Sequence, residues 1–147
     1  MGDAILAAGG GFLLAVLWFD LMFDVQALRA PRGAPVPEAA LASIAGYYRR
    51  VTIDAQPMPR LVGIVMAMLL GALVFGAGAW DARRIASLSL LGVPIGLALT
   101  RVFPQARRLA LREDAGDEQS RLARGIAWAH VACLVAIAAF LAIRLTA

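Results

Sequence analysis

Lysine and asparagine are absent from this sequence, and cysteine and histidine each occur once, as Cys133 and His130. A single cysteine excludes an intramolecular disulfide and any cysteine-rich metal cluster. Cys133 lies in an apolar run, where a thiol behaves as a small hydrophobe. A single histidine excludes a haem held between two histidines of one chain. No GxSxG, Walker A, HExxH or CxxC pattern occurs, and no cofactor can be assigned from the sequence. All 14 basic residues are arginine, in a chain rich in Ala, Gly and Leu. That is the codon bias of a GC-rich genome, and it points to a bacterial source without implying anything about function. Charge is sparse, at 16 % of residues. The net charge of +4 does not indicate a nucleic-acid partner, because the arginines flank apolar runs.

Apolar residues are abundant. They make up 61 % of the 147 residues, and the mean hydropathy is +0.76. Soluble domains hold roughly 45–50 % apolar residues, so a water-soluble fold of this length could not bury the excess. The expected fold class is therefore all-α, an integral membrane bundle of four helices in a single domain, 1–147. A spanning helix needs roughly 20 mostly apolar residues. Four runs qualify, at about 4–28, 61–80, 84–101 and 125–143. The second has no charged residue from Leu61 to Trp80, whereas the third is short and contains Pro94, which predicts a kink. Arg84 and Arg101 at its ends are expected to snorkel outward. The N-terminal run does not read as a cleaved signal, because Met-Gly-Asp supplies no basic n-region.

Arginine placement orients the bundle. The first loop carries Arg29, Arg32, Arg49, Arg50 and Arg60; the third carries Arg101, Arg107, Arg108, Arg112, Arg121 and Arg124. The opposite side has only Arg83, Arg84 and Arg144. The positive-inside rule places both large loops in the cytoplasm and both termini outside, which predicts a multi-pass protein of the bacterial inner membrane. The turn Asp81–Arg84 predicts an antiparallel hairpin of the second and third spans. In the first loop a helix is predicted at 38–54, with Leu41, Ile44, Tyr48 and Val51 at helical spacing. Tyr47, Tyr48, Arg49 and Arg50 suit the headgroup layer, so an interfacial helix is expected, with a lid over a cytoplasmic opening as the alternative. The third loop is expected to be helical to about Asp114 and to restart with Asp117 as an N-cap. Gly63, Ala67 and Gly71 form a small-residue stripe, as do Gly92 and Gly96; these read as packing within the chain, or as an oligomer interface.

Ionisable groups inside a span cost about 2.5–3.5 kcal/mol at the helix centre on insertion scales, so each needs a reason. Asp20 and Asp24 lie four apart on one face of the first span, and His130 lies in the fourth. At ~1.5 Å per residue, all three fall at similar depth in the cytoplasmic half. A cluster of Asp20, Asp24 and His130 opening to the cytoplasm is predicted, with Arg101 as a further candidate ligand- or proton-binding residue. In the structural alternative Asp24 pairs with Arg101 or Arg60, Asp20 accepts from His130 or Trp18, and the pairs only fix helix register. Two carboxylates one turn apart in low dielectric resist ionising together, which makes the pair a candidate proton- or ligand-binding site. One histidine gives little support for a metal site.

Three functions follow, in order of preference. The first is a small membrane protein with a cytoplasm-facing acidic pocket for transport or ligand binding, with a proton-coupled step. The second is an embedded enzyme acting on a lipid or other apolar substrate at the inner leaflet. The third is a non-catalytic subunit of a larger membrane complex. The expected partners are membrane lipids and either further copies of the chain or a larger membrane complex.

Overall fold

The computed structural model describes residues 2–55, 57–77 and 79–146, which are all-helical, with no strand among them. Four helices are long and apolar enough to cross a membrane. They are α1 (Gly2–Arg29), α3 (Pro57–Phe75), a continuous helix from Ala82 to Leu111, and α6 (Gly116–Leu145). The third consists of α4 (Ala82–Leu97) and α5 (Phe103–Leu111), joined through a π-helical turn at Ala98–Val102. In the first loop, α2 (Glu38–Arg49) runs on through a second π turn, Arg50–Asp54.

The long helices form a ring in which α1 packs on α3 and α6, and α4 packs on the same two. The charges segregate as the arginine count requires. Arg83, Arg84, Arg144 and Asp3 gather at one end, and the loops carrying the other arginines lie at the opposite end. Two apolar cores result. One, between the long helices, is built around Leu13, Leu69, Leu91, Ile137 and Phe140. The other lies at the arginine-rich end, where Leu41, Ile44 and Tyr48 of α2 meet Leu109 of α5 and Ile126 of α6.

The helix ends differ from the sequence expectation for local reasons. The second span stops at Phe75 rather than Trp80, and the next helix starts at Ala82. Its last carbonyls are taken by Arg84, which is buried rather than snorkelling. The Arg84 guanidinium donates to the carbonyls of Leu73 (2.6 Å), Val74 (3.0 Å) and Gly76 (2.8 Å), and it lies over the Trp80 ring. Asp81, by accepting from the Arg84 N–H at 2.8 Å, caps the start of α4. The third span does not end at Arg101. The π turn, in which the Phe103 N–H reaches back to the Ala98 carbonyl, gives Pro104 room inside a continuing helix. That helix ends at Arg112, whose left-handed φ of 56° turns the chain. The restart is at Gly116 with Ala115 in the N-cap position, so Asp117 sits in the first turn and does not cap it.

Neighbouring helices approach closely at glycines, but not at the ones the stripes suggested. A Cβ on Gly9 would meet Leu69 Cδ2 at 2.7 Å, and one on Gly10 would meet Leu141 Cδ2 at 2.8 Å and Phe140 Cε1 at 3.0 Å. Gly63, Gly71, Gly92 and Gly96 have nothing within 4 Å of that position. Gly10→Val should therefore destabilise the fold by about 1–3 kcal/mol through overpacking. Gly71→Ala should range from neutral to about 1 kcal/mol stabilising through helix propensity. Unfolding in mixed detergent, followed by circular dichroism, compares the two; equal effects would contradict this packing.

Candidate functional site

The structure brings Asp20, Asp24 and His130 together where α1, α2 and α6 meet. Asp24 is fully buried. Its Oδ2 faces His130 Nδ1 at 2.7 Å, and its Oδ1 accepts the Tyr48 hydroxyl at 2.8 Å. Because an ionised carboxylate only accepts, this pairing assigns the Nδ1 proton to His130 and turns Nε2 toward Asp20, whose Oδ2 lies 3.8 Å away. Asp20 Oδ1 accepts the Tyr47 hydroxyl at 2.6 Å. The imidazole thus stands between two carboxylates, each of which is also held by a tyrosine.

The tyrosines come from α2, where Tyr48 lies on the stripe that also buries Leu41 and Ile44 and Tyr47 sits half-buried beside it. Tyr48 is 2 % exposed, and Tyr47 stacks on Phe23 of α1 with ring centroids 4.1 Å apart. Both hydroxyls turn toward α1. Burial, and then the neighbouring Asp20 and Asp24 charges, push both hydroxyls well above the ordinary tyrosine range. They therefore stay protonated and act as donors. The helix is pinned in place as a cover: Ser120 Oγ accepts from the Val36 N–H at 3.0 Å, and Arg124 donates to the carbonyls of Pro31 (3.0 Å) and Ala34 (2.6 Å).

Arg101 is not part of this cluster. It is exposed, as is Arg60, and the buried partner expected for Asp24 is supplied by His130 and Tyr48 instead. An arginine on its long flexible stem reaches solvent at little cost, whereas a carboxylate in a closed interface is stabilised only by donors already buried beside it. The two tyrosine hydroxyls are the functional groups that the sequence reading missed. The signal was present in the spacing of Leu41, Ile44 and Tyr48, which puts a phenol on the buried face.

Beside the cluster is a cavity of about 110 Å³. Asp20, Tyr47, Tyr48, Thr52 and His130 form its polar wall, and Leu17, Val62, Met66, Ile95, Phe103 and Cys133 are among its apolar residues. Both π turns border it, through Val51 and Thr52 on one and Ala98 and Val102 on the other. Among the described residues, no group of three or more His, Cys, Asp or Glu side chains is placed to hold a metal ion. Fold and site together define a helical bundle with four membrane-length helices and a buried acid–imidazole–acid array at the wall of an apolar cavity. Comparison with known proteins finds no family model, no curated protein and no solved structure that matches the chain.

The hydrogen bonds set an order of sensitivity. Tyr48→Phe leaves a buried Asp24 oxygen without a donor and should cost about 1–3 kcal/mol. Tyr47→Phe should cost less, because Asp20 borders the cavity. His130→Ala should cost the most, about 3–5 kcal/mol, by breaking a buried charge pair. Detergent-denaturation midpoints rank the three, and a Tyr47→Phe loss as large as that of Tyr48→Phe would contradict the assignment.

Proposed function

We propose that this chain is a four-span protein of the bacterial inner membrane, with both termini outside. In this reading it binds a ligand in its cytoplasm-facing cavity and couples binding or transport to a proton held between Asp20 and His130. The observation that carries the proposal is the array itself. Asp24 and Tyr48 fix the imidazole from behind, and Nε2 and Asp20 Oδ2 face one another at the cavity wall. The two atoms are electrostatically coupled, so a proton on one changes the proton affinity of the other, and both residues line the cavity that a ligand would enter. α2 and its π turn act as the lid of the opening.

One feature favours a second reading, an enzyme acting on an apolar substrate. An imidazole backed by a buried carboxylate is a suitable general base, and His130 lines the cavity. An enzyme would release its substrate altered, and a transporter would release it unchanged. In an assembly, the outward small-residue face of α3 would be available to another chain.

Two measurements test the leading reading. Infrared difference spectra taken across pH should contain a carboxylic C=O band that disappears in Asp20→Asn. His130→Gln should shift the pH at which that band appears; an unchanged titration would mean that no proton is shared. For orientation, a C-terminal alkaline phosphatase fusion should be active and a C-terminal green fluorescent fusion dark, with the reverse pattern overturning the topology.

A further inference from the structure

The array leaves one acceptor unused. Asp24 has both oxygens engaged, by Tyr48 and His130. Asp20 Oδ1 is engaged by Tyr47, whereas its Oδ2 lies 3.8 Å from His130 Nε2, beyond hydrogen-bonding length. Asp20 borders the cavity, so this oxygen is the acceptor that a ligand would meet.

The charge around the cavity is one-sided. From α1 come Asp20 and, behind it, Asp24; from α2, Tyr47 and Tyr48, both protonated; from α6, His130 and Cys133. The π turn at Arg50–Asp54 contributes Val51 and Thr52. The linings from α3, α4, α5 and the π turn at Ala98–Val102 contain no titratable or charged side chain, and Arg60 and Arg101 are exposed and outside the lining. Two carboxylates with one protonated imidazole total one net negative charge, and a second proton brings the array to neutrality. A net negative charge beside an apolar cavity is costly unless a proton or a cation compensates it. An anionic ligand would confront Asp20 with no arginine in the lining to receive it, and the one imidazole there is already flanked by two carboxylates. A neutral apolar ligand would seal Oδ2 from water without supplying a compensating positive charge.

We propose that the cavity takes a lipophilic monocation, an ammonium carrying an apolar or aromatic body. Its charged nitrogen rests against Asp20 Oδ2, and its body lies among Leu17, Met66, Ile95 and Phe103. The inference rests on the proton-holding array and names the ligand class of that site. Only one of the two, proton or cation, neutralises the array at a time, so binding the cation releases a proton.

The test uses the full chain in lipid nanodiscs, with benzyltrimethylammonium as the probe and neopentylbenzene as its neutral carbon isostere. Calorimetry in two buffers of different protonation enthalpy, with empty nanodiscs subtracted, should show one proton released per cation bound. Affinity should rise by about tenfold per pH unit wherever the proton competes. Asp20→Asn should weaken binding by at least about tenfold, and neopentylbenzene should not compete. The comparison with neopentylbenzene is made on the native chain, so it stands even if the variant does not fold. Equal competition by neopentylbenzene, or undiminished binding in Asp20→Asn, overturns the cation assignment. Absence of binding while the Asp20 carboxyl band still titrates overturns it and leaves the proton array intact. Absence of both overturns the array as well.

Discussion

The contact between Asp24 and His130 constrains everything around it. A carboxylate sealed from solvent in an apolar interface is tolerable only if both oxygens find donors. That requirement fixes α1 against α6 in rotation and in height, and those two helices share the most extensive interface of the bundle. It also draws α2 inward, because the second donor is the Tyr48 hydroxyl. The apolar face of α2 therefore packs as part of the core at the arginine-rich end. Asp20, one turn away on the same face, is brought to the other side of the imidazole by the same rotation.

A second theme is how the helix C-termini are closed. The last carbonyls of a helix lack partners within it. In this chain arginines from neighbouring helices supply several of them. Arg84 serves α3; Arg83 donates to the carbonyls of Ile143 and Arg144 at the end of α6; Arg124 reaches Ala27, near the end of α1, and the loop beyond it. A guanidinium can donate to several carbonyls at once from a planar fork. Positive charge at a helix C-terminus is also favoured by the helix dipole. Each of these arginines thus ties one helix end to another, at opposite ends of the bundle.

The cavity is a consequence of broken helical regularity. Pro94 and Pro104 bracket the π turn at Ala98–Val102, and Gln56-Pro57 and Pro59 follow the other π turn at Arg50–Asp54. Proline removes a backbone donor, and at Ala98–Val102 the wider turn relieves the clash of the Pro104 ring with the preceding carbonyls. Thr52 and Thr100 donate their hydroxyls to the carbonyls four residues earlier, which satisfies backbone groups where the ladder is disturbed. Regular helices in a ring of four would close on one another. Here the irregular stretches border the space beside the acid–imidazole array, so the features that make the cavity also place it.

Much of this was legible from residue order alone. Runs of about 20 apolar residues, the uneven division of arginines, and three ionisable groups at matching depth are properties of sequence spacing, and hydropathy and helical rise convert spacing into position. So the four long helices, the segregation of arginines between the two ends, and the proximity of Asp20, Asp24 and His130 all follow without coordinates. What required the tertiary structure was the choice of partner. Arg101 and Tyr48 were both plausible companions for Asp24 by depth, and only the folded chain shows that the arginine escapes to solvent while the tyrosine is driven inward by the apolar stripe it shares with Leu41 and Ile44. The same holds for the glycines, where Gly9 and Gly10 meet neighbours and the regular stripe at Gly63 and Gly71 faces outward. Periodicity assigns a residue to a face of its own helix, but which neighbour that face meets is set by how all the helices pack together.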